Sequence, residues 1–402
     1  MKREGNILIM CYNVSMRFVI LSSDDFREFA TKSPYVSFMQ TVEIAKLRES
    51  EGWTAYYFGA TEDDEVKAAA MLVAKPTFLG KSTFICPGGP LMDYEDATLV
   101  NFFLKHLKAY ARSHNGYALT ISPYYELTAR DRDGNKIEGG FDHQKAITTL
   151  KSNGFTEVPH ASQPKYMFAM DLAGRTPDQI FADFKSKTRN HIKKAEKMGV
   201  KVRELGREEL DILKKITEAT SKRRGFTDRP LEYYEKMYDL FHDKGEVKFL
   251  VAEAIIGPEG IRSAAARGQA PSARGDGPDG RGPKADNCSA IVPLSAAMFM
   301  LVGSEVVYLF SGSDEQYMKD YNAQYLIQWD IIKYAAAHGF KRYNFYGIHD
   351  LPKNGELDGI YEFKKGFDST EHGHVLEFIG TFETPVDSIF FALHQLLKKL
   401  KI

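Results

Sequence analysis

The sequence predicts an α/β protein of more than one domain, and three observations support this. The chain has 402 residues, enough for two or three domains at roughly 150 residues each. Hydrophobic residues make up 43% and charged residues 27%, which excludes a wholly disordered chain. Short β-rich runs alternate along most of the chain with segments whose apolar residues recur at helical spacing, a pattern typical of α/β folds.

The first half of the chain begins with residues 1–15, which we expect to form a disordered leader. Strands are then predicted at 17–21, 66–75, 82–86 and 117–122. A helix at about 24–31 follows the first of them, because a cluster of serines and aspartates is a typical helix start. The third strand ends in the turn signal Pro87-Gly88-Gly89-Pro90, and Asp93 then stands where a helix N-cap is expected.

The second half repeats this alternation. Thr176-Pro177-Asp178-Gln179 has the form of a capping box and predicts one helix that ends at Gly199. Further helices are predicted at 207–222, 230–242 and 321–338, and strands at 200–203, 248–256, 296–302, 306–311 and 342–346. The last segment, about 385–400, is predicted to be an amphipathic helix. It sets Phe390, Leu393, Leu396 and Leu397 against Lys398 and Lys399.

Residues 257–293 interrupt this order. The stretch from 257 to 284 contains seven glycines, four prolines and no aromatic residue. Such a composition cannot bury enough apolar area to offset the entropy lost on ordering. We therefore expect a flexible insertion between two adjacent strands of one sheet, with a linker between domains as the alternative.

The sequence lacks the motifs of several kinds of catalytic, metal and disulfide site. The three cysteines, Cys11, Cys86 and Cys288, have no metal-ligand spacing and are a poor disulfide framework, which favours a reducing, cytoplasmic compartment. No stretch approaches the roughly 18–20 apolar residues of a spanning helix, so any membrane contact would be peripheral. There is no nucleophile elbow, zinc-protease motif or P-loop. We accordingly expect no metal and no bound cofactor.

The densest charge feature is the segment 185–203, which has eight lysines and arginines against one glutamate. The net charge of the whole chain is −1, so the average conceals this cationic ridge. Such a ridge suits the phosphates of a nucleic acid or nucleotide, but it could equally be a plain solvated helix face.

Aromatic and basic residues also gather at the ends of predicted elements. They are Tyr124-Tyr125, Arg229 with Tyr233-Tyr234, Tyr317, Tyr321, Tyr325 and Phe363-Lys364-Lys365-Gly366-Phe367. Aromatic rings and guanidinium groups together bind sugars and phosphates, and Gly366 would let backbone approach a ligand closely. Tyrosine pairs are also common in half-buried core, and that alternative stays open.

At this point the sequence resembles a known family, the Fem family of peptidoglycan bridge-forming aminoacyltransferases. The resemblance runs from Met16 to about Glu383. The stretches that carry it are 34–35 with 40–41, 89–94, 121–124, 188–190 with 199–203, 295–297, 306–308, 328–329, 342–347 and 363–366. Each stretch is short, but their order and spacing together are specific. One departure is Ser122, where many relatives have Asp before Pro-Tyr.

The resemblance implies two GNAT-like domains, the first formed by 16–160 with 368–402 and the second by 161–367. A coiled-coil arm emerges in relatives where this chain has the Gly/Pro-rich insertion 257–293. The implied reaction moves an amino acid from aminoacyl-tRNA to the stem peptide of a peptidoglycan precursor, either lipid II or UDP-MurNAc-pentapeptide. The enzyme is expected to be a monomer or weak oligomer in the cytoplasm, and a peripheral location at the inner face of the membrane is left open.

The resemblance also implies roles for individual residues. Lys364 with Phe363 would hold the tRNA end and stabilise charge near the reacting carbonyl. Lys46 would grip the precursor's diphosphate and sugar together with Arg229 and Tyr233, although Arg48 could align in place of Lys46. Asp93, Tyr124 and Tyr317 would line the acceptor cleft, and Tyr325 is assigned as a further substrate contact. Contacts with tRNA are assigned to Lys187, Arg189, Lys193, Lys194 and Lys365. Asp93 has a competing role as a helix N-cap.

Two other functions remain open from the sequence. The first is an acyl-CoA-dependent N-acyltransferase of the GNAT fold, which would need an R/Q-x-x-G-x-G/A loop for the pyrophosphate, and no match follows a predicted strand. The second is a non-enzymatic protein that binds tRNA or a nucleotide. Convergence of Arg229, Tyr233 and Lys364 on one cleft would favour the enzyme.

Overall fold

The structure is a computed structural model that describes residues 16–400 except 78, 160, 162, 258–288, 349 and 352–358. The expected leader and most of the expected insertion therefore lie outside the described residues. Backbone contacts divide the chain into two units. Unit 1 comprises the residues up to 125, 143–160 and those from 379 onward, and unit 2 comprises 126–142 and 161–378.

Unit 1 is a seven-stranded sheet with helices packed against it. Its strands are β1 Arg17–Ile20, β2 Thr54–Glu62, β3 Glu65–Pro76, β4 Ser82–Gly88, β5 Gly116–Pro123, β7 Thr156–Glu157 and β15 Phe382–Pro385, in the order β1-β2-β3-β4-β5-β15-β7. Its helices are α1 Ser23–Lys32, α2 Val42–Ser50, α3 Ala97–Ser113, α4 Gln144–Ser152 and α12 Ser388–Leu400. We number the helices in chain order through both units.

Local sequence sets the helix ends in unit 1. Ser22 and Asp25 form a capping box at the start of α1. Asp96 is the N-cap of α3 and accepts from the N–H groups of Thr98 and Leu99. The expected cap at Asp93 is therefore wrong. The Asp93 carboxylate instead accepts from the N–H of Glu95 at 2.9 Å, in the turn before the helix.

Unit 2 is an eight-stranded sheet. Its strands are β6 Glu126–Ala129, β8 Tyr166–Asp171, β9 Lys201–Glu204, β10 Val247–Ile256, β11 Ala290–Val302, β12 Glu305–Ser313, β13 Arg342–Ile348 and β14 Gly373–Phe378, in the order β6-β14-β8-β13-β12-β11-β10-β9. Its helices are α5 Pro177–Asp183, α6 Ser186–Lys197, α7 Leu210–Arg224, α8 Leu231–Phe241, α9 Glu315–Tyr321, α10 Ala323–Ala337 and α11 Gly359–Lys365. Two sheets with flanking helices confirm the α/β class.

The boundaries between the units differ from those expected at two places. The segment 126–142 lies in unit 2, because β6 pairs antiparallel with β14. The segment 368–378 also lies in unit 2, because β14 pairs with β8. The chain thus returns to unit 1 at residue 379 rather than at 368.

The insertion ends earlier than the sequence predicted. β10 pairs antiparallel with β11 from Val247↔Met300 to Ile256↔Ala290. Residues 290–293 are therefore part of a strand and not of the insertion. The two strands are neighbours in one sheet, as expected.

The single helix predicted to run from the Thr176 capping box to Gly199 is two helices. Thr176 and Gln179 form the capping box of α5, but α5 ends at Asp183, and Phe184 has extended backbone with ψ of 146°. The Arg189 guanidinium donates to the carbonyls of Ala182, at 2.7 Å, and Phe184. These bonds satisfy carbonyls at the end of α5, so the break is built into the fold.

The last helix, α12, packs on β5 with only part of its apolar surface. Phe390 and Leu397 are partly buried, whereas Leu393 and Leu396 are 37% and 53% exposed. The sequence had placed these four residues on one side. Within the described residues, the structure contains no helix that is long and apolar enough to cross a membrane.

Candidate active site

The candidate active site lies where two parallel strands of unit 2 separate. β12 and β13 pair at Glu305↔Arg342, Val306↔Tyr343 and Val307↔Asn344, and their pairing ends there although both strands continue. In unit 1 the corresponding parallel pair, β4 and β5, stays in register to its last residues. The separation in unit 2 opens a cavity of about 500 Å³.

Backbone geometry at the end of β13 helps to form this opening. Tyr346 has φ of +61°, an uncommon conformation for a residue with a bulky side chain. The Asn344 side-chain oxygen accepts from the Tyr346 N–H at 2.7 Å and holds the turn. Burial raises the pKa of the Tyr346 phenol and also that of Tyr308, to about 12, so both phenols remain neutral donors near neutral pH.

Lys364, the residue assigned to charge stabilisation, lines this cavity. It lies on α11, is 6% exposed, and its ammonium donates to the carbonyls of Tyr346 at 3.1 Å and Gly347 at 2.5 Å. The segment that carries Lys364 is thus helical and not a loop. Gly366 follows this helix, and a Cβ there would lie 2.6 Å from Thr188 Oγ1, so the glycine serves helix packing and not a ligand.

Aromatic rings form one wall beside Lys364. Phe363 and Tyr325 both line the cavity, with ring centroids 5.0 Å apart. On its other side the Tyr325 ring is stacked on His191 of α6 at 4.5 Å. Burial, then Lys187 and Lys194, lower the pKa of His191, so the imidazole is held neutral beside the wall. Three of the residues assigned from the sequence therefore meet at one cavity.

The opposite wall comes from α7 and β12. A Cβ at Gly312 would lie 2.6 Å from the carbonyl oxygen of Ile216, so a glycine is required for α7 to pack this closely. Arg223 and Arg224 line the cavity at the end of α7. Asp228 also lines it, and its carboxylate pairs with the Lys214 ammonium at 2.8 Å. Arg223 pairs with Glu315 at 3.7 Å, so Arg224 and Lys364 carry the excess positive charge of the lining.

Arg229 and Tyr233 lie next to this cavity. Arg229 is exposed, and its guanidinium carbon stands 5.0 Å from the centre of the Tyr233 ring. The Tyr233 ring packs edge-on against Phe310, a residue of the cavity wall, at 5.8 Å. Arg229 and Tyr233 thus lie beside the cavity that Lys364 lines, but neither is among its lining residues.

The contacts of Lys365 do not fit its assignment as a tRNA contact. It is 9% exposed, its ammonium pairs with Asp133, and Arg132 donates to its carbonyl oxygen at 3.1 Å. Tyr361 donates to the carbonyl of Arg132 at 2.8 Å. These bonds hold residues 132–133 against α11, the helix that also carries Lys364. No pattern in the sequence indicates these contacts, because the loop and the helix are more than 200 residues apart in the chain.

Some side chains of the cationic ridge are bound to other parts of the protein. Arg189 caps α5, as described above, which contradicts its assignment as a tRNA contact. Lys194 is exposed and donates to the carbonyl of Lys319 at 3.1 Å. Lys187 and Lys193 are exposed on α6, on the helix that places His191 against the cavity wall. These two lysines remain the best candidates of the ridge for phosphate contacts.

Three assigned residues belong to unit 1. Asp93 lines a second cavity, of about 600 Å³, together with Tyr35. Burial, then Asp93, raise the pKa of the Tyr35 phenol. Lys46 is exposed on α2, and Tyr124 is half-buried between β5 and β6. Arg48, the alternative to Lys46, pairs with Glu51 at 2.8 Å.

Tyr317 does not lie in a cleft. It is 3% exposed and belongs to the hydrophobic core of unit 2, with its ring 5.9 Å from that of Tyr321. The structure therefore contradicts its assignment to the acceptor cleft. In the described part of the chain, no group of three or more histidine, cysteine or acidic side chains is arranged to hold a metal ion.

Known proteins are similar to this chain over most of its length. The FemAB family model matches residues 21–256 and 283–399. Aminoacyltransferase FemA of Staphylococcus epidermidis is 29% identical over 425 aligned residues, which cover 96% of this chain and all of the relative. FemA of Staphylococcus aureus strain N315 is 28% identical over 96% of this chain and 99% of its own length.

A solved structure shares the fold. The crystal structure of FemX aligns over 94% of this chain and 99% of its own length, with a TM-score of 0.73 and 21% sequence identity. The family match extends over most of the chain and includes both units. The chain therefore belongs to the FemAB family and is an aminoacyltransferase.

Proposed function

We propose that this aminoacyltransferase takes an amino acid from aminoacyl-tRNA and adds it to the stem peptide of a peptidoglycan precursor, in interpeptide bridge formation. The observation that carries the proposal is the cavity between β12 and β13, with the Lys364 ammonium in its wall. The tRNA 3′ end with its amino acid occupies this cavity. The precursor is lipid II or UDP-MurNAc-pentapeptide.

The chemistry asks little of the protein. The aminoacyl ester is already activated, and the acceptor amine attacks its carbonyl carbon. A C–N bond forms, the ester C–O bond breaks, and the proton lost by the amine goes to the departing ribose oxygen, directly or through water. The enzyme must align the two reactants and stabilise the negative charge that develops on the carbonyl oxygen. A buried ammonium such as that of Lys364 supplies this stabilisation.

Two sets of residues bind the substrates in this proposal. Lys187 and Lys193 of α6 contact tRNA phosphates, and the Phe363 and Tyr325 rings hold its terminal nucleotide by stacking. Arg229 binds the diphosphate of the precursor, because its guanidinium is exposed and its orientation is fixed by the Tyr233 ring. Lys46, Asp93 and Tyr124 of unit 1 remain proposed contacts of the precursor.

The structure also bears on acyl-CoA as the donor. The acyl-CoA alternative requires a loop after a strand in which backbone N–H groups bind the pyrophosphate. Here Asp314 follows β12, and its carboxylate accepts from the Gln316 N–H at 3.0 Å as the N-cap of α9. A carboxylate at this position repels a pyrophosphate and occupies a donor that would bind it.

The test is product analysis. Purified protein is incubated with UDP-MurNAc-pentapeptide or lipid II and a panel of charged tRNAs, and the products are weighed by mass spectrometry. We expect a mass increase of one aminoacyl residue with one class of charged tRNA and none with acetyl-CoA. An increase with acetyl-CoA alone, or none with any donor although the protein binds tRNA, would reject the proposal.

A further inference from the structure

The outer face of α12 is apolar, which is the reverse of an ordinary surface helix. Ile389, Leu393 and Leu396 are 80%, 37% and 53% exposed, and Ala392 between them is exposed too. These positions follow the i, i+3, i+4, i+7 spacing of one helix face. We call them the α12 stripe. In a helix that only covers a sheet, this spacing would face the core.

The inner face of α12 is already occupied. The His394 ring lies 5.0 Å from that of Tyr117 on β5, and the Gln395 side chain donates to Glu383 at 3.3 Å. Because these contacts fix the rotation of the helix, the α12 stripe cannot turn inward. Its exposure is a consequence of the fold of unit 1 and not of a loosely attached helix.

A further exposed apolar side chain lies in a turn that contacts the start of α12. The turn between β3 and β4 carries Leu79, which is 75% exposed and has φ of +53°. Lys81, two residues further on, pairs with Asp387 at 2.8 Å, and its ammonium stands 4.5 Å from the centre of the Phe390 ring. These contacts hold the turn against the start of α12, and the turn carries Leu79 as an exposed apolar side chain.

The charges of the C-terminal residues indicate which kind of partner fits this surface. Residues 388–402 contain three lysines, Lys398, Lys399 and Lys401, and no acidic residue. An apolar face followed by lysines fits an anionic lipid surface, in which the apolar side chains enter the acyl boundary and the lysines meet the headgroups. We propose that the α12 stripe and the adjacent Leu79 turn dock this protein on the surface of an anionic membrane. The binding is peripheral.

Vesicle sedimentation tests this proposal with no tRNA or precursor present, so its failure leaves the proposed transferase function untouched. Full-length protein is mixed with vesicles of phosphatidylcholine alone, or with phosphatidylglycerol added at roughly one part in four. We expect clear binding to the anionic vesicles and much weaker binding to the neutral ones. The triple variant Ile389→Gln/Leu393→Gln/Leu396→Gln should lose at least about tenfold in partitioning.

The matched control removes exposed isoleucines elsewhere. Ile255 and Ile291 face each other across β10 and β11 and are 71% and 56% exposed, so Ile255→Gln/Ile291→Gln should bind vesicles as the natural chain does. If the triple variant melts at a lower temperature, Ile389→Gln alone repeats the test at the most exposed position. Absence of vesicle binding by the natural chain, or an equal loss in the control, overturns the proposal. So does a dimer in ultracentrifugation that the triple variant abolishes, because the stripe would then cover a second copy.

Discussion

The substitution Lys364→Met tests whether the Lys364 ammonium acts in the transfer reaction or only stabilises the fold. The change removes the ammonium but keeps a side chain of similar length. If the ammonium stabilises the developing oxyanion, the single-turnover transfer rate should fall about 10²–10³-fold, equivalent to roughly 2.7–4 kcal/mol of transition-state stabilisation. Substrate binding should change much less, because the charge that Lys364 meets appears only in the transition state.

The structure also bounds the effect of this substitution on folding. The carbonyls of Tyr346 and Gly347 each lose a donor, and a dry, unsatisfied group would cost roughly 1–3 kcal/mol. Both carbonyls border a cavity of about 500 Å³, so water can replace the ammonium. We therefore expect a net loss of about 1–2 kcal/mol and a fall in melting temperature of roughly 2–8 °C.

The assay is single-turnover transfer from charged tRNA under saturating precursor, with thermal melting in parallel. Lys365→Met is the matched control, because Lys365 lies on the same helix with similar burial but its ammonium faces Asp133 and not the cavity. It should lose comparable stability and less than about tenfold in rate. A natural rate in Lys364→Met, or equal rate losses in both variants, would refute the assigned role.

Three further predictions concern binding and pH. Arg229→Ala should raise the KM for the precursor roughly tenfold with kcat nearly unchanged, because a diphosphate contact persists from ground state to transition state; a selective fall in kcat in steady-state kinetics would contradict this. Lys193→Ala should weaken tRNA binding and reduce the slope of the logarithm of the tRNA association constant against log salt by about one. Arg189→Ala should instead lower the melting temperature, because Arg189 caps α5. Equal salt slopes in Lys193→Ala and the natural chain would show that Lys193 does not contact tRNA. The pKa of His191 is lowered from 6.5 in the folded chain. Below about pH 6.5 the unfolded chain therefore binds a proton more readily at His191 than the folded chain does, so the free energy of unfolding should fall as the pH drops. Denaturant titrations should show a weaker fall for His191→Gln, and an unchanged pH dependence would place the effect elsewhere.

Much of the fold follows from local sequence, because its signals act over a few residues. The Thr176 capping box begins a helix as predicted, and the strands around the insertion are neighbours in one sheet. The break between α5 and α6 could not be predicted in this way. The apolar spacing continues through Phe184, and the break depends on hydrogen bonds from Arg189 that form only when the chain has folded back.

Some of the residues assigned to the site from the sequence lie together in the structure, and others do not. Lys364, Phe363 and Tyr325 do line one cavity, and Arg229 and Tyr233 lie beside it. Lys365 and Tyr317 have the same residue types, but burial decides their roles, and burial is set by packing partners distant in sequence. Composition cannot distinguish a lysine that faces a substrate from its neighbour that faces Asp133.

The separation of β12 from β13 has a consequence for how the cation is retained. A strand that loses its neighbour is left with main-chain acceptors that no other backbone satisfies. Past the last pair with β12, β13 still pairs with β8 at Gly347↔Met167, and the carbonyls of Tyr346 and Gly347 accept from the Lys364 ammonium, so a side chain supplies donors where the pairing with β12 has ended. The opening that admits a substrate thus provides the acceptors that hold the charge. A mutation that closed the sheet would remove both the space and the anchor of the lysine.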